Sequence, residues 1–163
     1  MATANVKRLF PVGYIGTGVV PSESGPAAAG ATDGAWGIGA VLVSSTSVVA
    51  ARGFLVQGGT DPTKIVGVAE AVGPQATTST TYVRYVPALS NVLFEATVAH
   101  TGEAIPLADT HLFQEFQLTK QGSGASAEWY VDTATGPDSS TGRFRIMRFK
   151  DAVGTTDGRV FGV

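Results

Sequence analysis

The sequence contains no cysteine, and this absence excludes three kinds of chemistry at once. Disulfide bonds, thiolate metal ligands and cysteine nucleophiles all require a sulfur atom that no residue here provides. Histidine is nearly as scarce, because only His100 and His111 occur among 163 residues. A zinc site would need both histidines together with carboxylates, and the HExxH pattern that supplies zinc ligands from one helix is missing.

Charged residues are also few. Asp, Glu, Lys and Arg make up 15% of the chain, against about 25% in an average soluble domain. Two interpretations follow: an ordinary β-protein with a surface of serine, threonine and glycine, or a subunit whose surface is partly covered by neighbours, where charge is depleted. The net charge of −2 supplies no basic stripe, so we expect no nucleic-acid partner.

Long hydrophobic runs are missing as well. No stretch reaches the ~18 apolar residues of a membrane-spanning helix, and the opening residues MATANVKRLF lack the apolar core of a secretory signal. We therefore expect synthesis in the cytoplasm and no membrane partner.

The motifs that organise common active sites do not occur. There is no Gly-x-Ser-x-Gly elbow and no phosphate-binding glycine loop. The sequence does not exclude a Ser–His–Asp triad, because the three residues of a triad need only meet in the folded chain. We predict that the protein is not an enzyme and has no cofactor, metal or small-molecule substrate.

Short apolar segments, separated every 8–12 residues by clusters of Gly, Pro, Ser and Asp, predict an all-β domain. The segment KIVGVAEA, residues 64–71, is a β-branched run with one interior glycine, Gly67, which indicates a bulge or a close backbone approach. One stretch also has helical spacing: Asp109 is placed to cap a turn before Leu112 and Phe116. The alternation that follows suits a strand, so we expect one helical turn leading into a strand.

Residues 1–35 differ from the remainder, which spans 36–163. Pro11 and Pro21 exclude a helix, and frequent glycines weaken any strand, yet several apolar side chains are present. This predicts an extended N-terminal arm that lies on its own domain or on a neighbouring subunit; the alternative is a first strand followed by a loop. The arm residues that we predict at an interface are Lys7, Arg8, Leu9, Phe10, Val12, Tyr14 and Ile15.

The segment RFRIMRFK, residues 143–150, is a cationic strand. Regular alternation would place Arg143, Arg145, Met147 and Phe149 on one face, and Phe144, Ile146, Arg148 and Lys150 on the other. Because charges then lie on both faces, two interpretations stay open: an edge strand protected by charge, or a contact with an acidic neighbour. Arg143, Arg145 and Arg148 are the predicted interface residues of this edge strand.

Three short strand patterns follow one another along the chain: I-x-G-V-A, V-F-E-A and D-x-V-G…G-R-V. The residues that match them are Ile65, Gly67, Val68 and Ala69; Leu93, Phe94, Glu95 and Ala96; and Asp151, Val153, Gly154, Gly158, Arg159 and Val160. Leu93 stands where the second pattern more often has Val. In these patterns the chain resembles the head decoration (cement) proteins of tailed bacteriophages, and the resemblance covers roughly residues 36–163.

The resemblance implies a compact β-barrel-like fold, called a β-tulip, and no catalytic residues. It also implies binding to the outer surface of the capsid in the virion, as a homotrimer that bridges major capsid proteins and cements the head. Two alternatives stay open: another phage structural subunit (tail tube, head–tail joining or fibre-associated), or a carbohydrate-binding β-sandwich. For the last, Trp36, Trp129 and Tyr130 would form the sugar platform, although aromatic residues in strands are more often core.

Overall fold

A computed structural model describes residues 9–15, 18–27, 35–44, 54–73, 81–100, 105–134, 136–137 and 142–163. The described residues contain eleven strands, two 3₁₀ turns and no α-helix. None of these segments forms a helix with the length and hydropathy that crossing a bilayer requires. The strands are β1 (Phe10–Tyr14), β2 (Glu23–Ala27), β3 (Val41–Ser44), β4 (Leu55–Gln57), β5 (Ile65–Ala69), β6 (Thr81–Pro87), β7 (Val92–Ala99), β8 (Glu115–Gln121), β9 (Glu128–Asp132), β10 (Phe144–Phe149) and β11 (Arg159–Gly162).

The strands form two closed five-stranded barrels. In the N-terminal barrel the order is β2-β4-β3-β5-β6, and antiparallel pairing of β6 with β2 closes the ring. In the C-terminal barrel the order is β7-β11-β10-β8-β9, and a parallel pairing between β9 and the end of β7 closes it. The predicted all-β, compact, barrel-like fold is therefore confirmed, and it takes the form of two barrels.

A row of three valines joins the barrels. Val41 of β3 lies opposite Val68 of β5, which lies opposite Val86 of β6. All three are buried, and they belong to the hydrophobic cluster that fills the C-terminal barrel. Their sequence neighbours Leu42 and Ala69 belong to the separate cluster inside the N-terminal barrel. Successive side chains of a strand point to opposite faces. One face of β3, β5 and β6 therefore packs inside the N-terminal barrel, and the opposite face packs against the core of the C-terminal barrel.

Gly67 lets β5 and β6 approach each other closely. A Cβ atom at Gly67 would lie 2.3 Å from the carbonyl oxygen of Val86 and 2.6 Å from Cδ2 of Tyr85. The register between β3 and β5 also shifts beside Gly67, because Val43 pairs with Ile65 and leaves one residue of β5 unpaired. Both expectations for this glycine, a bulge and a close backbone contact, are confirmed.

The predicted arm contributes two strands to its own chain. β1 lies antiparallel to β7, whereas β2 pairs with β6 over its whole length, from Glu23 opposite Tyr85 to Ala27 opposite Thr81. This corrects the arm assigned to residues 1–35, because β2 is an integral part of the N-terminal barrel. Within the described residues, β1 is not a strand of either barrel, although Leu9 just before it packs in the cluster of the C-terminal barrel.

The segment 109–121 folds as a turn followed by a strand, as the spacing predicts. A 3₁₀ turn spans Asp109–His111, and β8 begins at Glu115. The capping role predicted for Asp109 is wrong, because Asp109 is the first residue of the turn and Ala108 occupies the cap position. The backbone N–H of Ala108 instead donates to Nδ1 of His111, at 3.3 Å.

We predict that replacement of Gly67 by alanine destabilises the fold by about 1–3 kcal/mol, because the new methyl group must displace backbone of β6. Urea unfolding followed by the fluorescence of the buried Trp36 and Trp129 measures this loss. Gly59→Ala is the matched control, since a Cβ at Gly59 meets no atom within 4 Å. Equal unfolding midpoints for the two variants would contradict the close approach of β5 and β6.

We also predict that Val86→Ala lowers the free energy of unfolding by about 2 kcal/mol, because it removes two buried carbon atoms from the valine row. Val72→Ala removes the same atoms from a side chain that is 57% exposed, and we expect a change within about 0.5 kcal/mol. The same urea titration compares the two variants. A similar small change in both would show that the row does not join the barrels.

Candidate interaction surface

One strand has an open edge. Within the described residues, β2 to β11 each pair with strands on both sides, whereas β1 pairs with β7 alone. Closing a sheet into a barrel removes strand edges, and an edge that remains presents backbone N–H and C=O groups to a further strand. The outer side of β1 is therefore the place in the described fold where another chain can extend the sheet.

The sequence of β1 accounts for its position at the edge. Pro11 has no N–H to donate, and proline is tolerated in edge strands but not in central ones. The register with β7 shifts between Pro11 and Gly13, so Val12 is an extra residue in a bulge. Just after the strand, the N–H of Ile15 donates to the carbonyl oxygen of Asn91 at 2.7 Å. This bond holds the end of β1 against the β6–β7 turn.

The predicted arm residues divide between the core and the surface. Leu9 is only 3% exposed and packs in the C-terminal barrel's cluster, so its side chain is not available to a partner. In contrast, Phe10, Val12 and Ile15 are 42–48% exposed. Lys7, Arg8 and the side chain of Tyr14 lie outside the described residues. The described face of the arm is therefore apolar and accessible.

The apolar edge continues into a row of side chains across four strands. Phe10 of β1 is paired with Glu95 of β7, Glu95 with Phe161 of β11, and Phe161 with Arg148 of β10. Directly opposed residues place their side chains on the same face of a sheet. The guanidinium carbon of Arg148 lies 4.4 Å from the centre of the Phe161 ring, which is the geometry of a cation–π contact.

Ion pairs surround this row. Arg159 donates from Nε to Oδ2 of Asp151 at 2.9 Å and from a terminal nitrogen to Oδ1 at 2.8 Å. The Lys150 ammonium lies 2.7 Å from a carboxylate oxygen of Glu95, and the Arg159 guanidinium approaches the other oxygen of Glu95 at 3.7 Å. The hydrogen bond from Arg159 lowers the pKa of Asp151, and the same pair raises the pKa of Arg159.

Arg148 is the cation of this face that the described ion pairs leave unmatched. The row and its surroundings therefore combine two exposed or half-buried aromatic rings, matched charges and one additional positive charge. We refer to β1 with the row Phe10, Glu95, Phe161 and Arg148 as the β1 surface.

The prediction that residues 143–150 form an edge strand is wrong. β10 pairs with β11 on one side and with β8 on the other. Its predicted faces are also wrong, because a register shift between Ile146 and Arg148 interrupts the alternation. Phe144 and Ile146 before the bulge and Phe149 after it all pack on the core, and the charged side chains at 145, 148 and 150 share the exposed side.

The three arginines predicted at an interface lie in different environments. Arg143 donates from Nε to the carbonyl oxygen of Pro62 at 3.1 Å and so connects the C-terminal barrel to the β4–β5 loop. Arg145 forms an ion pair with Glu115. Arg148 alone belongs to the β1 surface.

The structure does not bring the other sequence candidates together as a site. Trp36 lies in the N-terminal barrel's cluster and Trp129 in the other, and both are buried, as is Tyr130. They do not form a sugar platform, because stacking requires an exposed ring. His111 is half-buried against Phe116, and burial lowers its pKa. The described residues also contain no group of three or more His, Asp or Glu that is placed to hold a metal ion.

Sequence reasoning did not assign Glu95, Phe161, Arg159 or Asp151 to a surface. Glu95, Asp151 and Arg159 belong to the strand patterns of the family resemblance. The available signal was local: Glu95 is the single charge in the apolar strand β7, and Asp151 and Arg159 flank the short turn between β10 and β11. What places them side by side is the strand order β7-β11-β10.

Comparison with protein-family models, with curated proteins and with solved structures finds no match to this chain. The resemblance to phage decoration proteins therefore stays a prediction.

We predict that Asp151→Asn lowers the melting temperature at pH 7 by a few degrees, and that this difference shrinks as the pH falls below about 4. The Asp151 carboxylate has its pKa held below the ordinary 3.8 in the folded state. Its stabilising effect is therefore present above that value and is lost as the group becomes protonated. Thermal unfolding at a series of pH values checks this.

Asp109→Asn is the control, because Asp109 is an exposed carboxylate in the 3₁₀ turn. We expect the melting temperature of this variant at pH 7 to stay within about a degree of the native value, because substitutions at exposed positions have small effects. A deficit of Asp151→Asn that is the same at pH 7 and at pH 2 would contradict the ion-pair explanation.

Proposed function

We propose that this chain is a structural protein of a phage particle, which binds the outer surface of the capsid and cements the head as a homotrimer bridging major capsid proteins. The observation that supports this proposal is the open edge of β1, the one strand of the described fold with a single neighbour. A protein that binds a repeating shell needs a surface that a neighbouring chain can extend, and β1 offers one.

Addition of a strand to β1 would form backbone hydrogen bonds with a partner, each worth roughly 0.5–1.5 kcal/mol net. Exposed apolar side chains add to this, because Phe10, Val12 and Ile15 lose contact with water when the edge is covered. A single such contact is weak. A shell repeats it many times, and each bridging subunit engages several capsid proteins at once.

The charges of the β1 surface suit an acidic or mixed partner rather than a polyanion. Glu95 and Asp151 neutralise Lys150 and Arg159 within the subunit, which leaves Arg148 to meet a partner's carboxylate. Lys7 and Arg8 precede β1 in the sequence and add two positive charges to the same end of the arm. Electrostatic complementarity of this kind improves partner choice more than affinity.

A contact between the two barrels suits such bridging. The buried valine row gives the barrels a continuous hydrophobic contact, so that both would take part when β1 binds a neighbour. The low content of charged residues agrees with a subunit whose surface is covered by neighbours.

We predict that the double substitution Phe10→Lys with Val12→Lys weakens binding to capsids at least tenfold, because it places two charges where apolar contact is expected. Cosedimentation of the purified chain with expanded heads of its own phage measures this. Both side chains are more than 40% exposed, so the variant retains its core. We also expect deletion of residues 1–20 to abolish binding. This deletion removes Leu9 from the core as well, so a loss of binding could also reflect a loss of stability.

The matched control is Phe113→Lys with Val72→Lys, which makes the same changes at exposed positions away from β1. We expect the control to bind like the native chain. Undiminished binding by the Phe10/Val12 variant would contradict the proposal that β1 is the capsid contact.

Mass photometry of the native chain, with and without capsids, separates the alternatives. Self-assembled tubes favour a tail protein, whereas absence of capsid binding combined with glycan affinity favours a carbohydrate-binding domain.

A further inference from the structure

Both barrels close without β1. The N-terminal ring closes through the pairing of β6 with β2, and the C-terminal ring closes through the pairing of β9 with β7. Within the described residues, β1 pairs with β7 alone. If β1 leaves β7, the strand pairing of both barrels therefore stays intact.

The pairing that holds β1 is short and irregular. It joins four residue pairs with β7, and the bulge at Val12 interrupts them. Pro11 contributes no backbone N–H. In comparison, β2 has the same length but forms five uninterrupted pairs with β6 and a further pairing with β4. The backbone therefore holds β1 less firmly than it holds a strand of a barrel.

One buried side chain anchors the strand. Leu9 is 3% exposed and packs in the cluster of the C-terminal barrel, whereas Phe10, Val12 and Ile15 are 42–48% exposed. Leu9 also lines an apolar cavity of about 400 Å³ between the barrels, together with Val68. Because the packing around this anchor is incomplete, withdrawal of Leu9 enlarges an existing cavity and does not open a close-packed core. Segments with few buried contacts open at a lower free energy than the core does.

The connection after β1 allows the strand to turn outward. Val20 packs against the cluster of the C-terminal barrel, and the residues 15–19 link it to the end of β1. These residues include Gly16 and Gly18, and Val19 is 89% exposed. Five residues span roughly 17 Å when they are extended, so β1 can leave its place while Val20 stays in position.

The place that β1 leaves has the shape of β1, so the segment that fits it best is the β1 of a second copy of this chain. We propose that β1 is exchanged between copies: the β1 of one chain pairs with the β7 of another and inserts its Leu9 between the barrels of that chain. Exchange of an identical element reproduces the contacts of the single chain, which makes it a low-cost route to association. It also ties neighbouring subunits together.

This exchange deepens the self-association in the proposed function and rests on it, but it does not depend on the capsid contact. An exchanged β1 still has β7 on one side only, so its outer edge stays open to a capsid protein. The two roles therefore use opposite edges of the same strand and can be tested separately.

Cross-linking between single-cysteine variants tests the exchange, and the native chain has no cysteine that would interfere. Gly13 lies opposite Leu93 in the pairing of β1 with β7. One chain carries Gly13→Cys, and a second chain carries Leu93→Cys and a tag that changes its mass. The two are mixed without capsids and treated with a short bis-maleimide. The cysteines lie side by side only where the β1 of one chain pairs with the β7 of the other.

The control mixture replaces Gly13→Cys by Gly59→Cys, because a Cβ atom at either glycine meets no atom within 4 Å. We expect at least about fivefold more heterodimer from the Gly13 mixture, since strand pairing raises the local concentration of the two thiols. Equal yields from the two mixtures overturn the exchange. Because no capsid is present, that result leaves the capsid contact of β1 standing.

Leu9→Ala in both chains of the Gly13 mixture tests whether the strand opens locally. We expect the heterodimer to form about fivefold faster, because the anchor of β1 is weakened. Leu55→Ala makes the same change in the separate cluster of the N-terminal barrel and should leave the rate close to that of the Gly13 mixture. Equal acceleration by both variants, or none by Leu9→Ala, overturns exchange through local opening. If Leu9→Ala does not fold, the comparison of the first two mixtures decides the proposal.

Discussion

The packing of three valines, one from each of β3, β5 and β6, is the contact on which the rest of the structure depends. Each belongs to a strand that also lines the N-terminal barrel, yet its side chain is buried in the cluster of the C-terminal barrel. These strands must therefore be apolar on both faces, which explains why KIVGVAEA shows no alternation of polar and apolar residues.

Because both barrels are closed, β1 is the one described strand that has an unpaired edge. Strand edges that are paired within the barrels cannot add further strands, so the capacity for sheet extension remains with β1. The same strand has exposed apolar side chains. Its bulge and its proline interrupt the backbone hydrogen-bonding pattern, so only a short segment of a partner can pair with it. A specific partner with a short extended segment suits these features better than indiscriminate strand addition does.

The errors in the sequence interpretation have one physical origin. RFRIMRFK alternates polar and apolar residues except at Ile146 and Met147, two adjacent apolar residues. A bulge at Met147 shifts the second half of the strand by one residue and places the charges at 145, 148 and 150 on one face. Leu9 resembles its exposed neighbours in the sequence and is nevertheless core. Strand neighbours, and the burial of Leu9, are set by contacts between residues that are distant in the sequence, and the periodicity of a single strand does not specify them.

The sequence by itself determined the all-β class, the turn-and-strand form of 109–121 and the role of Gly67, because hydrophobic spacing and glycine placement act locally. Closure into two barrels, the valine row and the open edge of β1 were decided only by the tertiary structure. Each of these requires residues far apart in the chain to meet: β1 with β7, β9 with the end of β7, and β5 with the core of the second barrel. The local spacing of apolar residues determines which segments form strands. Burial of the second apolar face of those strands determines how the strands are arranged into two joined barrels.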